Sequence, residues 1–336
     1  MNRNGITGET QDRIVEAITS FALYGFPESH AASFALIAYA SAYLKCHYLA
    51  AFTAALLNNQ PMGFYSPATI VKDAQRHGLK VRPMDVNRSD WPCTLEEENG
   101  EKVLRLGLSY LKGLREAAGR AIVRERARGF FASIDDLARR VPELRRDELE
   151  RLAEAGALNS LGVEHRRHAL WQASRAARPA GPLLETLPEW QKASPLPPMT
   201  PEERLLADYE TAGLTIGPHP MAYCRPSMRA LGVQRAAELK RLPHGRRVRV
   251  AGAVIVRQRP GTAKGFVFLS LEDETGIANI VVDPDTFERY RVVLVEAPFL
   301  LVEGVLQNVD GVISVKAVSL EALAAPSAAV ESHDFH

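Results

Sequence analysis

The residues best suited to chemistry in this chain are arginines. From Lys102 to Arg151 thirteen basic residues stand against eight acids, and from Lys240 to Arg259 seven basic residues stand against none. Arg dominates both stretches, and its planar fork matches the paired oxygens of a phosphate. The overall balance hides this: 41 Lys and Arg against 40 Asp and Glu leave a net charge of +1 over 336 residues. That total excludes a uniformly basic, DNA-coating protein and an acidic tail protein alike. A solvated helix face explains any single arginine as well as binding does. Two concentrations on two separate modules favour contact with a polyanion. Lys112, Arg115, Arg120 and Arg124 in the first stretch are candidates, as are Arg247, Arg249, Arg257 and Arg259 in the second, with Lys264 just beyond.

Catalytic patterns are absent. The sequence has no Walker loop, HExxH, GxSxG or Gly-rich dinucleotide fingerprint. Asp135-Asp136 and Asp283/Asp285 are the close aspartate pairs. Each follows a capping position and reads as the acidic first turn of a helix, not as a converging metal site. No catalytic residue and no metal ligand is therefore assigned. Cys46, Cys93 and Cys224 form no CxxC pair, which favours a reducing, cytoplasmic setting without disulfides. The stretch Cys46–Val71 lacks acids, Lys and Arg, but Asn58-Asn59-Gln60-Pro61, Gly63 and Pro67 interrupt it, so a buried helix and loop are expected, and no membrane association.

The elements that must carry these residues follow from periodicity. Helices are predicted at 12–22, from Ala31 to Leu57 with Ser29 as N-cap, at 66–80, and in short pieces over 108–176 divided by Gly113, Gly129, Pro142, Gly156 and Gly162. The helix at 31–57 is apolar almost all round and is expected to be buried inside a larger body. A hairpin is expected around Asn99-Gly100, and a Pro-rich linker over 177–200 leads to a helix at 202–212 and a turn at 217–220. Leu111-Lys112-Gly113-Leu114 followed by Glu116–Arg126 can be a helix-hairpin-helix, whose glycine turn presents backbone N–H groups to phosphate. Arg115 stands where a second glycine is expected, so a plain helical hairpin explains the segment equally well.

The last third switches to strands at 246–257, 265–271, 277–282, 299–306 and 312–318, with one helix at 284–295 after the third. That order is what a five-stranded OB-type barrel requires. Gly252 marks the bend in its long first strand. Phe266 and Phe268 share one face of the second strand. Core placement is the expectation for them, and a stacking platform for bases is the alternative. The fold class is thus α+β and multidomain: a helical part followed by an OB barrel.

At YGFPESHAASFALIAYASAYLKCHYLAAFTAALLNNQPMGFY (24–65) the residues become specific. Pro-Glu-Ser-His-Ala, Leu-Lys-Cys-His and Asn-Asn-Gln-Pro-Met-Gly-Phe-Tyr, with DVNRSDW (85–91), LGLSYLKGLREA, AGALNSLG and ADYETAGLTIGPHPM, resemble the bacterial C-family DNA polymerases, the polymerase III alpha-subunit group, and most closely their error-prone, damage-associated branch. The resemblance covers essentially the whole chain. It implies a C-terminal portion: the end of the fingers domain at 1–65, a helix-hairpin-helix DNA-binding region at 66–176, a linker and connecting helix at 177–240, an OB domain at 241–323 and a disordered tail at 324–336. It implies that Ser29, His30 and Lys45 face the incoming nucleotide. It implies that the other DNA-binding candidates, Gly113 among them, meet template-primer and single-stranded template. The family's Mg²⁺-binding palm aspartates match nothing here, so no cofactor is expected in this chain and polymerisation belongs to the full-length parent. The Gln-containing clamp peptide of replicative members is absent from 171–190, which puts direct sliding-clamp binding in doubt and makes accessory translesion proteins the expected partners. A stand-alone OB/helix-hairpin-helix module binding single strands, and a non-functional remnant of a truncated gene, remain alternatives.

Overall fold

The computed structural model describes residues 7–23, 28–63, 65–176, 194–324 and 333–335. The chain divides into two compact units, the first ending at Phe52 and the second beginning at Thr53.

The first unit holds α1 (Glu9–Leu23), α2 (Glu28–His47) and the start of α3 (Leu49–Asn58). The single long helix expected over 31–57 is interrupted only at Tyr48. The Tyr48 N–H still donates to the Leu44 carbonyl at 2.8 Å, and its own carbonyl accepts from Phe52 at 2.9 Å. Helix α2 begins at Glu28, so the Ser29 backbone lies within it and not at its cap, while the Ser29 side chain lies outside the described residues. The expected burial of this helix does not occur: every residue from His30 to His47 is exposed or half-buried. A unit of so few short helices cannot surround one that is apolar on all sides.

In the second unit, Ser66 caps α4 (Pro67–Arg76) by accepting from Thr69 N, and Pro67 occupies the first helical position, where a missing N–H costs nothing. A small sheet follows in the order β1 (Val81–Arg82), β3 (Glu101–Arg105), β2 (Thr94–Glu98), with the β2–β3 hairpin turning at Asn99-Gly100 as predicted. Four short helices succeed it: α5 (Glu116–Arg126), α6 (Ile134–Arg140), α7 (Arg146–Glu154) and α8 (Arg166–Ala176). Ile122, Ile134, Leu137, Leu152 and Leu158 are fully buried among them. Helix α9 (Pro201–Ala212) carries a capping box of Thr200 and Glu203. Helix α10 (Pro220–Ala230), which sequence periodicity did not reveal, starts at His219-Pro220 and contains Pro226.

The barrel is built from β5 (Arg247–Gln258), β6 (Val267–Glu272), β7 (Ile277–Val282), α11 (Pro284–Glu296), β8 (Phe299–Val309) and β9 (Val312–Ala322), preceded by the short strand β4 (Val233–Gln234), which joins β5 in parallel. Pairing runs β5-β6-β7-β9-β8 and closes through β8–β5. Strand β5 serves both sides, pairing with β8 from Arg247 to Ala253 and with β6 from Ala253 onward. The bend is at Gly252, where a Cβ would stand 2.6 Å from the Glu272 carbonyl oxygen, a distance no side chain tolerates. A last strand, β10 (His333–Phe335), runs parallel to Val256–Gln258 of β5.

Period-2 alternation sends Val267, Leu269 and Leu271 of β6 into the barrel core with Ala278, Ile280 and Val282 of β7. This corrects the expectation for the two phenylalanines. Phe266 is half-buried and Phe268 is 39% exposed, because the aliphatic residues between them take the inward face.

Candidate nucleic-acid interface

The helical hairpin is organised by one buried carboxylate. Glu148, 1% exposed near the start of α7, accepts from the backbone N–H of Arg145 at 2.8 Å and of Arg115 at 2.9 Å. It also takes the Arg115 guanidinium in a fork at 2.8 and 2.9 Å. Burial pushes the Glu148 carboxyl up, but these hydrogen bonds outweigh it and hold the group below the usual glutamate range. The starts of α5 and α7 are thereby fixed to each other. Just before α5, Gly113 makes the turn at φ 87°, with the Arg151 side chain 3.1 Å from where its Cβ would be. Lys112 is exposed beside it, its Nζ 3.4 Å from the Tyr209 carbonyl.

The hairpin candidates thus fall into two groups. Lys112 and Gly113 form the exposed turn, with Arg151 added by the structure. Arg115 is bonded to Glu148, Arg120 pairs with Glu116 at 2.7 Å one turn away, and Arg124 bridges Glu125 and Glu143 at 3.2 and 2.8 Å.

The barrel candidates also separate. Arg247 and Arg249 project from the first half of β5, both toward Glu303 of β8, at 3.8 and 3.0 Å. Arg257 lies ten residues further, roughly 33 Å along an extended strand. Its guanidinium donates to the carbonyls of Leu294 and Ala297 at 2.8 and 2.6 Å, which ties β5 to α11. Arg259 stacks over the Phe287 ring at 4.3 Å, and Lys264 is exposed in the β5–β6 connection. Phe268, four residues after Lys264, stands on the outer face of β6 in register with Val281 of β7. An exposed aromatic on the face of a barrel strand is a platform on which single-stranded bases can stack.

In the first unit, the exposed His30 packs its ring on Phe34 at 4.4 Å. Lys45 is half-buried at the other end of the same helix. Fifteen residues of helix put them roughly 22 Å apart along the axis, so they flank a length of α2 and do not converge on a point.

A buried polar junction, not foreseen in the sequence, locks the helical part to the barrel. Glu272 at the end of β6 receives Arg76 of α4 at 2.7 Å and Thr69 at 3.4 Å. Arg225 of α10 reaches Asp273 at 3.1 Å and grips Glu274 at 2.6 and 2.7 Å. Lys72 donates to the Gly217 carbonyl and to Gln75. Burial lowers Lys72 to about 8, against the opposing pull of Glu272 and Asp208. Burial, with Lys72, Arg76 and Arg225 close by, lowers His219 to about 3, so its ring is neutral and Nδ1 can accept from Met221 N to cap α10. The usable sequence signals were His219-Pro220, a cap followed by proline, and the acid run Glu272-Asp273-Glu274 at a strand end. The partners of the acid run, on α4 and α10, lie 48 to 203 residues away, beyond the reach of any local pattern. Among the described residues no three His, Cys, Asp or Glu side chains gather to hold a metal ion, and no helix is long and apolar enough to cross a membrane.

Comparison with known proteins agrees with this geometry. The family described as "Helix-hairpin-helix motif" matches residues 78–169, and that described as "OB-fold nucleic acid binding domain" matches residues 236–323. The chain is 48% identical over its full length to a protein named error-prone DNA polymerase from Anaeromyxobacter dehalogenans (strain 2CP-C), covering 30% of it. A protein of the same name from Alkalilimnicola ehrlichii is 47% identical, with the whole of this chain and 33% of that protein aligned. One from Bordetella parapertussis is 48% identical over 91% of this chain and 29% of its own length. Among solved structures, asparaginyl-tRNA synthetase from Pyrococcus horikoshii matches 26% of this chain and 22% of its own, at 28% identity and a TM-score of 0.23. Over its whole length, then, the chain is homologous to proteins named error-prone DNA polymerase, and it spans about 30% of them.

Proposed function

We propose that this chain is the DNA-binding C-terminal portion of an error-prone DNA polymerase. In this reading the parent extends primers past damaged template, while the residues present here grip the DNA. The observation that carries it is the union, in one compact unit, of a glycine-turned helical hairpin and a closed OB barrel with an aromatic on its outer face. Lys112, Gly113 and Arg151 offer a cation-flanked turn to a duplex phosphate backbone. Phe268 and Lys264 offer stacking and charge to single-stranded template. Ser29, His30 and Lys45 are assigned to the incoming nucleotide by resemblance alone; His30 and Lys45 lie at opposite ends of α2. Nucleotidyl transfer would use two Mg²⁺ ions. In this reading the residues present here bind and orient DNA. Accessory translesion proteins, in place of a directly bound clamp, complete the assignment.

The reading is tested by comparing the chain with its Phe268→Ala variant on labelled oligonucleotides. Loss of one stacked base weakens single-strand binding by about 5- to 150-fold, since stacking contributes ~1–3 kcal/mol per base, and leaves duplex binding unchanged. Equal single-strand affinity of the two proteins contradicts the assignment of the β6 face. A second reading, a module that binds single strands without serving a polymerase, draws support from the self-contained core of the second unit. It is separated from the first by whether the chain prefers a primer–template junction to a plain single strand.

A further inference from the structure

We propose a second nucleic-acid contact on the β5–β8 side of the barrel, a groove for phosphodiester backbone between α10, β4 and the β5–β8 pair. It rests on the reading of the chain as a DNA-binding portion and extends it to a surface that no family match assigns.

Two cavities of about 310 and 400 Å³ adjoin there, sharing Gly232 and Gln234. Arg225, Arg229 and Arg235 line the first, and Arg246, Arg247 and Arg249 line the second. The fold assembles them from three sources. Arg225 and Arg229 are four residues apart on α10 and share a face. Arg247 and Arg249 alternate with the core residues Val248 and Val250 and therefore point outward. The Arg249 guanidinium donates to the Leu231 carbonyl at 3.3 Å, fixing one wall to the other.

Six arginines face two lining carboxylates, Glu238 and Glu303. Asp273 and Glu274 behind the wall answer Arg225, and Glu274 lies 3.5 Å from Arg235. Even with all four acids counted the groove keeps an excess of positive charge. Arg229 and Arg246 are exposed, and neither has a carboxylate within ion-pair distance among the described residues. Arg225 Nη1 is a buried donor without an acceptor. The unmet buried donor is costly unless an acceptor completes it, and two exposed cations on the same groove are free to receive an anion. The groove lies on the β5–β8 side, whereas Phe268 and Lys264 belong to the β5–β6–β7 side, so one strand of DNA contacting both must cross β5.

The test uses the full chain and its Arg229→Gln/Arg246→Gln variant, both substitutions being at exposed positions. Binding of labelled single strands of increasing length is followed over a salt series. The proposal predicts several-fold weaker binding at low salt and a salt slope reduced by about 1.4, since each single-strand phosphate contact contributes ~0.7. The melting temperature should be unchanged, and Phe268→Ala should add its own loss independently. An unaltered slope and affinity in the double variant, with wild-type binding intact, overturns the groove while leaving the DNA-binding reading standing. No binding by the wild-type chain overturns both. Inorganic tripolyphosphate supplies the remaining arm: if it competes as effectively as a long strand, the site takes compact anions and the backbone proposal fails. If competition grows with oligonucleotide length, the proposal is supported.

Discussion

Glu148 shows how much one side chain can decide. Four donors from Arg115 and Arg145 converge on a carboxylate that is almost wholly buried. Its replacement by Ala leaves those donors without an acceptor and should cost about 2–4 kcal/mol, measured by denaturant unfolding. Because the folded-state acid is stronger than the unfolded one, this stabilisation is complete above the ordinary glutamate pKa. It is lost as pH falls through the depressed folded value, so Glu148→Ala should show a shallower stability decline in acid than the parent. Gly113→Ala forces a side chain into φ 87° beside Arg151 and should cost about 1–2 kcal/mol while weakening duplex binding. The turn glycine was legible in the sequence because a left-handed turn leaves a residue-type signature. The grip of Glu148 on Arg115 was not, since an ion pair across 33 positions leaves none. Phe266 and Phe268 were misjudged for a related reason: alternation says that two residues share a face, not which face the aliphatic neighbours will claim.

At the scale of elements, the junction of α4, α10 and the end of β6 makes the helical part and the barrel one body. Its titration has a defined sign. His219 is depressed to about 3, so the unfolded chain takes up a proton below about 6.5 that the folded chain refuses, and stability should fall between those values. His219→Asn retains a good N-cap and should flatten that decline in thermal melts from pH 7 to 4. Lys72, lowered to about 8, acts in the other direction of pH: between about 8 and 10.5 the unfolded lysine stays protonated while the folded one does not, so stability rises with pH there. Lys72→Met should abolish that rise. The barrel strands, α11 and the Asn99-Gly100 hairpin were legible because each is encoded by local period and turn residues. Helix α10 was obscured by Pro226 in its interior, and it is held instead by buried contacts of Met221, Arg225 and Met228.

The whole molecule explains the near-zero net charge. Its cations are spent unevenly: many arginines close ion pairs inside the hairpin and the junction, while Lys112, Arg151, Arg229, Arg246 and Lys264 remain at exposed positions where a polyanion can reach them. The first unit tells a complementary story. Phe34, Leu36, Ile37 and Tyr39 of α2 are all more than half exposed, a surface that should make the chain self-associate as concentration rises in sedimentation experiments, and Leu36→Glu should reduce that association. The resemblance across 24–65 was legible as sequence, yet its apolar residues pointed to a burial that this chain does not supply. In the proposed function these residues bind DNA while primer extension belongs to the longer protein. The most direct test is one experiment on purified chain with a fluorescent primer–template, Mg²⁺ and dNTPs, reading anisotropy and primer length together over a salt series from ~50 to 200 mM. Saturable binding whose logarithm falls linearly with the logarithm of salt, without primer extension, is expected. Absence of binding at the lowest salt, or extension of the primer by this chain alone, contradicts the proposed function.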